Sequence, residues 1–261
     1  VSRGGTSGGG SRKYSAFGVE AKLPLIDTLL LSLAARYDSY DDDSDVGSRT
    51  TPKFGLEYRP TDSLLVRGSY SETFRAPDMQ RLFGATTNGF DSLVDTPECE
   101  AAGGTKGDSS FEHPDYPGFH PCIDVIQSVM TTRGSNINLK EEEGDVTNIG
   151  IVWNALDNWS LSLDYYQATL EDIVDTPSGQ LILDINHTSA ITRGAAYVSP
   201  INPGGLRMVA TQAQNLAVQE ISGFNFKTDY TYLTETMGRF KSHLSIQKID
   251  KFETQESKES L

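Results

Sequence analysis

The chain has 261 residues, 37% hydrophobic and 22% charged, which is apolar enough for a folded core. No run approaches the roughly 18 uninterrupted apolar residues of a membrane-crossing helix; the longest stretch, 29–35, is broken by Ser32, and strands remain free to cross. With 36 acidic against 22 basic residues the net charge is -14, which excludes the basic footprint of nucleic-acid binding.

The first ten residues are rich in Gly and Ser and carry no apolar export segment, so an export signal is expected upstream of Val1. Residues 1–13 read as the flexible end of a loop. From residue 14 a pattern sets in: segments of about ten residues with strict alternation, each closed by a turn or a long polar loop. Residues 14–25 set Phe17, Val19, Ala21 and Leu23 against Ala16, Gly18, Glu20 and Lys22. After a turn at 24–27, residues 28–40 place Leu29, Leu31, Leu33, Ala35 and Tyr37 on one face. The polar loop DDDSDVGS leads to 50–59, where Phe54, Leu56 and Tyr58 oppose Lys53, Gly55, Glu57 and Arg59. The turn Pro60-Thr61-Asp62 returns the chain into 63–74, with Leu64, Val66, Gly68 and Tyr70 opposite Leu65, Arg67, Ser69 and Ser71.

A long irregular region then runs from 75 to 144, and strand signals resume at 145–154 and 159–174. A second long region, 175–215, is expected to hold a short helix near 181–193. Strands at 216–232 and 237–250 follow, and 251–261 reads as a charged tail. Eight strands result, joined alternately by short and long connections. That asymmetry, with aromatics near the strand ends, is what strands crossing a bilayer show. A soluble sandwich or propeller shares the alternation but seldom carries loops of this length.

Two cysteines, Cys99 and Cys122, lie in one polar, Gly- and Pro-rich segment. In an oxidising compartment they would close a loop, adding about 3 kcal/mol on the chain-entropy estimate; two free thiols are the alternative. His113, His120 and Cys122 do not make up a four-ligand metal set. Asp41, Asp43, Asp45 and Gly47 are a weak likeness of a calcium loop, with the glycine one place late and no closing Glu. A solvated turn is the plainer reading. No metal site, cofactor motif or catalytic arrangement follows, and the chain does not read as an enzyme.

The run TTPKFGLEYRPTDSLLVRGSYS over 50–71, continued by Thr73-Phe74-Arg75-Ala76-Pro77, resembles the barrel of TonB-dependent outer-membrane receptors. Asn138-Leu139-Lys140-Glu141-Glu142-Glu143, the segments 149–153 and 159–166, and Asn215-Leu216-Ala217 with 219–224 resemble further strands of that family, in order. The resemblance implies an all-β fold, an antiparallel transmembrane β-barrel segment over 14–250 that forms part of a plugged 22-strand barrel. It also implies ligand-gated import across a Gram-negative outer membrane, energised by the TonB complex. The ligand would be a ferric siderophore, cobalamin or carbohydrate-like nutrient, and the partners a plug domain, TonB and outer-membrane lipid. No plug, TonB box or closing strand is recognisable in 1–261, so the chain is expected to cover the middle of a barrel, with the plug encoded upstream. A porin-like or adhesive barrel is the rival.

Within this frame Phe111, His113, Tyr116, Phe119 and His120 are candidate ligand contacts in the loop joined by Cys99 and Cys122; plain surface elaboration is the alternative. Lys53, Glu57, Arg59, Arg67, Asp164 and Lys227 are expected to face the lumen, because a basic residue on the lipid face costs about 2–4 kcal/mol at midplane. They would pair with a plug, line a ligand path, or pair with one another. Arg75 and Pro77 are expected to set the exit from strand to loop.

Overall fold

The computed structural model describes residues 7–194, 202 and 204–255. Residues 1–6 and 256–261, parts of the expected flexible start and charged tail, lie outside them. The chain divides into two compact units. One comprises Arg12–Pro77, Lys140–Ile173 and the described part of Asn215–Leu261; the other holds Asp78–Leu139 with the described parts of Val1–Ser11 and Val174–Gln214.

The first unit is an eight-stranded sheet. Its first four strands are β1 (Lys13–Ile26), β2 (Leu29–Asp41), β3 (Ser48–Thr61) and β4 (Leu64–Arg75). Numbering in chain order through the second unit, the other four are β7 (Glu142–Leu156), β8 (Trp159–Asp175), β11 (Gln214–Thr234) and β12 (Gly238–Gln255). Each strand neighbours the next in sequence order, β1-β2-β3-β4-β7-β8-β11-β12, and β1 and β12 are open edges. Short connections at 27–28, 62–63, 157–158 and 235–237 alternate with long ones at 42–47, 76–141 and 176–213. Every strand exceeds the roughly 9–11 residues a tilted strand needs to cross a bilayer. The last is longer than the alternation suggested: 251–255, assigned to a charged tail, continues β12 against Val218–Ser222 of β11.

Register explains why both faces are uniform. Leu23, Leu31, Leu56, Gly68, Ile149 and Tyr165 fall in one row across six strands, and Ala21, Leu33, Phe54 and Tyr70 in the next. The opposite face carries Lys22, Ser32, Gly55, Ser69, Asn148 and Tyr166 in one row and Leu30, Glu57, Arg67, Gly150 and Asp164 in another. A slip of one residue in β1, β2, β3, β4 or β8 would put charges into the apolar rows, so the alternation itself pins the pairing. The apolar face is not a core: Phe17 is 72% exposed and Leu163 is 49% exposed. In water so large an apolar face would be an aggregation surface; in hydrocarbon it is the solvated side.

The second unit corrects the reading of 75–144 as irregular and adds strands to 175–215, where only a short helix was expected. It forms a four-stranded sheet in the order β5-β6-β10-β9, comprising β5 (Thr87–Val94), β6 (Val125–Gly134), β9 (Ile191–Arg193) and β10 (Leu206–Gln212). Helices α1 (Met79–Phe83), α2 (Thr96–Ala101) and α3 (Gly179–Asp184) complete it. β6 and β10 pair in parallel although they come from different long regions. Alternation in β5 and β6 is broken by a register shift between Asp91 and Leu93 and by Ser128 at φ 58°, which hid both strands from a period-two reading. The helix expected near 181–193 is shorter. Ser178 caps α3 by accepting the Leu181 N–H, the helix ends at Asp184, Asn186 follows at φ 49°, and the chain goes on through a 3-10 turn into β9. Leu93, Ile126, Val129, Ile182, Leu183, Leu206 and Val209 form the core of this unit.

Candidate functional site

On the polar face of the eight-stranded sheet, Lys53, Glu57, Arg67, Asp164 and Lys227 line one open cleft of about 570 Å³. Arg67 reaches across β7 to Asp164, with Nη2 at 2.7 Å and Nε at 3.1 Å from Oδ1. The residue between them in register is Gly150, where an added Cβ would lie 2.0 Å from that carboxylate oxygen. Glycine is what leaves room for an ion pair to bridge three strands. Arg59 turns back to Glu57 of its own strand, Nη2 to Oε2 3.2 Å. Lys53 and Lys227 enter no ion pair among the described residues. Glu20, Lys22, Asn148 and Asn225 line the same cleft and were not singled out from sequence. For Glu20 and Lys22 the signal was there, since both share the polar phase of β1.

A second polar cluster gathers where β1, β2 and the 42–47 loop meet. Asp38 is 2% exposed and takes both a bifurcated Arg36 Nε contact, 2.9 and 3.0 Å, and the Tyr14 hydroxyl. The Arg12 guanidinium stands 5.1 Å over the Tyr40 ring, pairs with Asp42 and donates to the Pro77 carbonyl at 3.0 Å. Asp42, expected in a solvated turn, is therefore an enclosed anchor. Burial opposes its charge, but Ser44 and Arg12 hold its carboxyl below the usual range. Among the described residues no group of three or more His, Cys, Asp or Glu could hold a metal ion.

In the second unit Cys99 and Cys122 are joined as a disulfide. His113 and Phe119 are buried, 7% and 3% exposed, while Phe111, Tyr116 and His120 are half-buried. The His113 ring lies 4.7 Å from Tyr116 and 6.3 Å from Phe119. Its Nδ1 accepts the Asp115 N–H at 3.1 Å, which leaves the proton on Nε2, 3.4 Å from Glu98 Oε1. His120 Nδ1 donates to the Phe111 carbonyl at 3.0 Å. The five aromatic candidates thus split into an inner pair that shapes the loop and three at its surface. Gly104 packs where a Cβ would sit 2.5 Å from Cys122 Sγ and 2.6 Å from the Phe111 ring. Replacing both cysteines with alanine is expected to lower the stability of this unit by about 3 kcal/mol and leave the eight-stranded sheet unchanged, as read by hydrogen exchange. Equal protection in both proteins would count against the staple.

Asp184 accepts from Thr96 Oγ1 at 2.7 Å and Gln180 Nε2 at 3.0 Å and pairs with Lys106. Burial works against its charge, yet the Lys106, Gln180 and Thr96 bonds lower its pKa. A depressed carboxyl contributes stability that is full above its unfolded value, about 4, and is lost as pH falls through the lower folded value. Asp184→Asn is expected to flatten the acid side of the unit's stability curve; an unchanged acid limb, followed by circular dichroism, would refute the linkage.

The chain matches the family described as TonB dependent receptor-like, beta-barrel over residues 2–254. Among solved structures it is similar to the siderophore receptor PirA from Acinetobacter baumannii, at 15% identity and TM-score 0.59, covering 93% of this chain and 28% of that one. It is also similar to a mutant ferric enterobactin receptor from Pseudomonas aeruginosa in complex with enterobactin, at 15% identity and TM-score 0.57, covering 90% and 27%. The FrpB iron transporter from Neisseria meningitidis is similar at 16% identity and TM-score 0.50, covering 97% and 28%. No curated protein matches. An open antiparallel sheet with one apolar and one charged face defines the class, a segment of β-barrel wall. The chain belongs to the TonB-dependent receptor β-barrel family, and it spans little more than a quarter of the length of each structure named.

Proposed function

We propose that this chain supplies part of the wall and surface loops of an outer-membrane receptor that imports a scarce nutrient. A ferric siderophore is the favoured cargo, because the similar structures include receptors for siderophores. The observation that carries the reading is the pair of opposed faces. Apolar rows such as Leu23–Leu31–Leu56 suit lipid, and the Arg67–Asp164 cleft suits a lumen holding a plug domain and the ligand path. The open edges β1 and β12 pair with the remaining strands of the barrel. Energy comes from the TonB complex acting on the plug, and the second unit lies outside the cell, where its disulfide is stable. The half-buried Phe111, Tyr116 and His120 are its ligand-contact candidates. The role is transport, with no bond made or broken in the cargo.

The test uses the full-length receptor in an iron-starved host supplied with radio-iron as ferric siderophores. The Cα atoms of Cys99 and Cys122 are 4.9 Å apart, so the residues between them can be excised and the ends joined by a short glycine linker. Uptake is expected to fall while insertion into the outer membrane is retained. Undiminished uptake would remove this loop from ligand capture, and absence of uptake by the unaltered receptor would remove siderophores as cargo.

A further inference from the structure

The chain passes between the two units at 11/12, 77/78, 139/140, 173/174 and 214/215. Three of these crossings converge on one side chain. Asn215, the second residue of β11, accepts the Lys140 N–H at 2.9 Å and donates through Nδ2 to the Lys140 carbonyl at 2.9 Å and the Asp172 carbonyl at 2.7 Å. Lys140 stands two residues before β7 begins, and the last β7–β8 pair is Glu143 with Glu171, one residue short of Asp172. Asp172 sits at φ 53°, a left-handed conformation unfavourable for a side chain other than glycine. A carboxamide carries one acceptor and two donors, and here its oxygen and amino group both bond backbone of other segments. Just past the same crossings, Leu139, Val174 and Ala213 gather with Leu82 in one apolar cluster of the second unit.

We infer that Asn215 is a positioning residue, a clamp that ties the segment entering β7, the far part of β8 and the start of β11 to one another within the eight-stranded sheet. Asparagine is required chemically. Aspartate is isosteric and keeps the acceptor for Lys140 N–H, but it loses both donors and sets a charge against two carbonyl oxygens.

The experiment is hydrogen exchange on the full-length receptor in detergent, comparing Asn215→Asp and Asn215→Ala with the unaltered protein. Gln219→Ala is the control, since that side chain bonds Thr254 of β12 and touches no crossing. Exchange at Lys140 is expected to quicken on the order of tenfold in Asn215→Ala, which loses the acceptor for that N–H, the size of one net hydrogen bond, and to quicken less in Asn215→Asp, which keeps it. Protection within β7 and β8 and heat-resistant electrophoretic mobility should stay as in the unaltered protein and in the control. Unchanged exchange at Lys140 in the alanine variant would overturn the clamp. So would equal loss of protection through β7 and β8, which would make Asn215 a general stabiliser of the sheet.

Discussion

Leu31→Arg is expected to abolish most assembly of the receptor in the outer membrane, whereas Ser69→Arg, on the other face, should leave it assembled. Leu31 lies in the apolar row between Leu23 and Leu56. With that row against lipid, as proposed, a guanidinium there costs about 2–4 kcal/mol near midplane, less toward the rims. At about 3 kcal/mol the assembled fraction falls on the order of a hundredfold. Ser69 lines the polar cleft beside Asn148 and Gly55, where a charge has water and counter-charges within reach. Heat-modifiable mobility and protease resistance of outer-membrane fractions provide the measurement. Equal yields of the two variants would mean that the faces are assigned wrongly.

The second large effect is local to the second unit. Asp95 is 1% exposed, and its two oxygens take Nη1 and Nη2 of Arg193 at 2.7 Å each. The same carboxylate caps α2 by accepting the Glu98 N–H. Asp95→Ala leaves a half-buried guanidinium unpaired and a helix start uncapped. Breaking a buried pair costs about 3–5 kcal/mol and a lost cap about 1 kcal/mol. Because Arg193 keeps some access to water, the expected loss is about 3 kcal/mol, toward the lower end. Asp91→Ala, which removes a more exposed partner of Arg133 at 3.4 Å, should cost well under that. Protection of β5 and β6 amides reports both, and similar losses in the two variants would show that burial of the Asp95 pair is not what matters.

The strands of the large sheet were legible because each is a local pattern, apolar on one face and polar on the other. β4 alternates Leu64, Val66, Gly68 and Tyr70 with Leu65, Arg67, Ser69 and Ser71, and no partner is needed to read it. β5, β6 and β10 were not legible. Their pattern is bent at Asp91–Leu93 and Ser128, and β10 pairs with a strand from another connection, so neither period nor proximity announces the sheet. The wall charges divide in the same way. Lys53, Glu57, Arg67 and Asp164 followed from phase alone, but Gly150 as the gap beneath an ion pair followed only from register.

By itself, then, the sequence determined the alternation, the strand count of the wall, the order of short and long connections, and the family likeness. These properties live within ten consecutive residues or in the order of such stretches. Only the tertiary structure decided that Asp42 is enclosed by Arg12, that His113 and Phe119 face inward, and that Asn215 meets Lys140 and Asp172. Each of these depends on which segments meet in the folded chain. A side chain's partners there are set by chain segments tens of residues away, and no local periodicity encodes them.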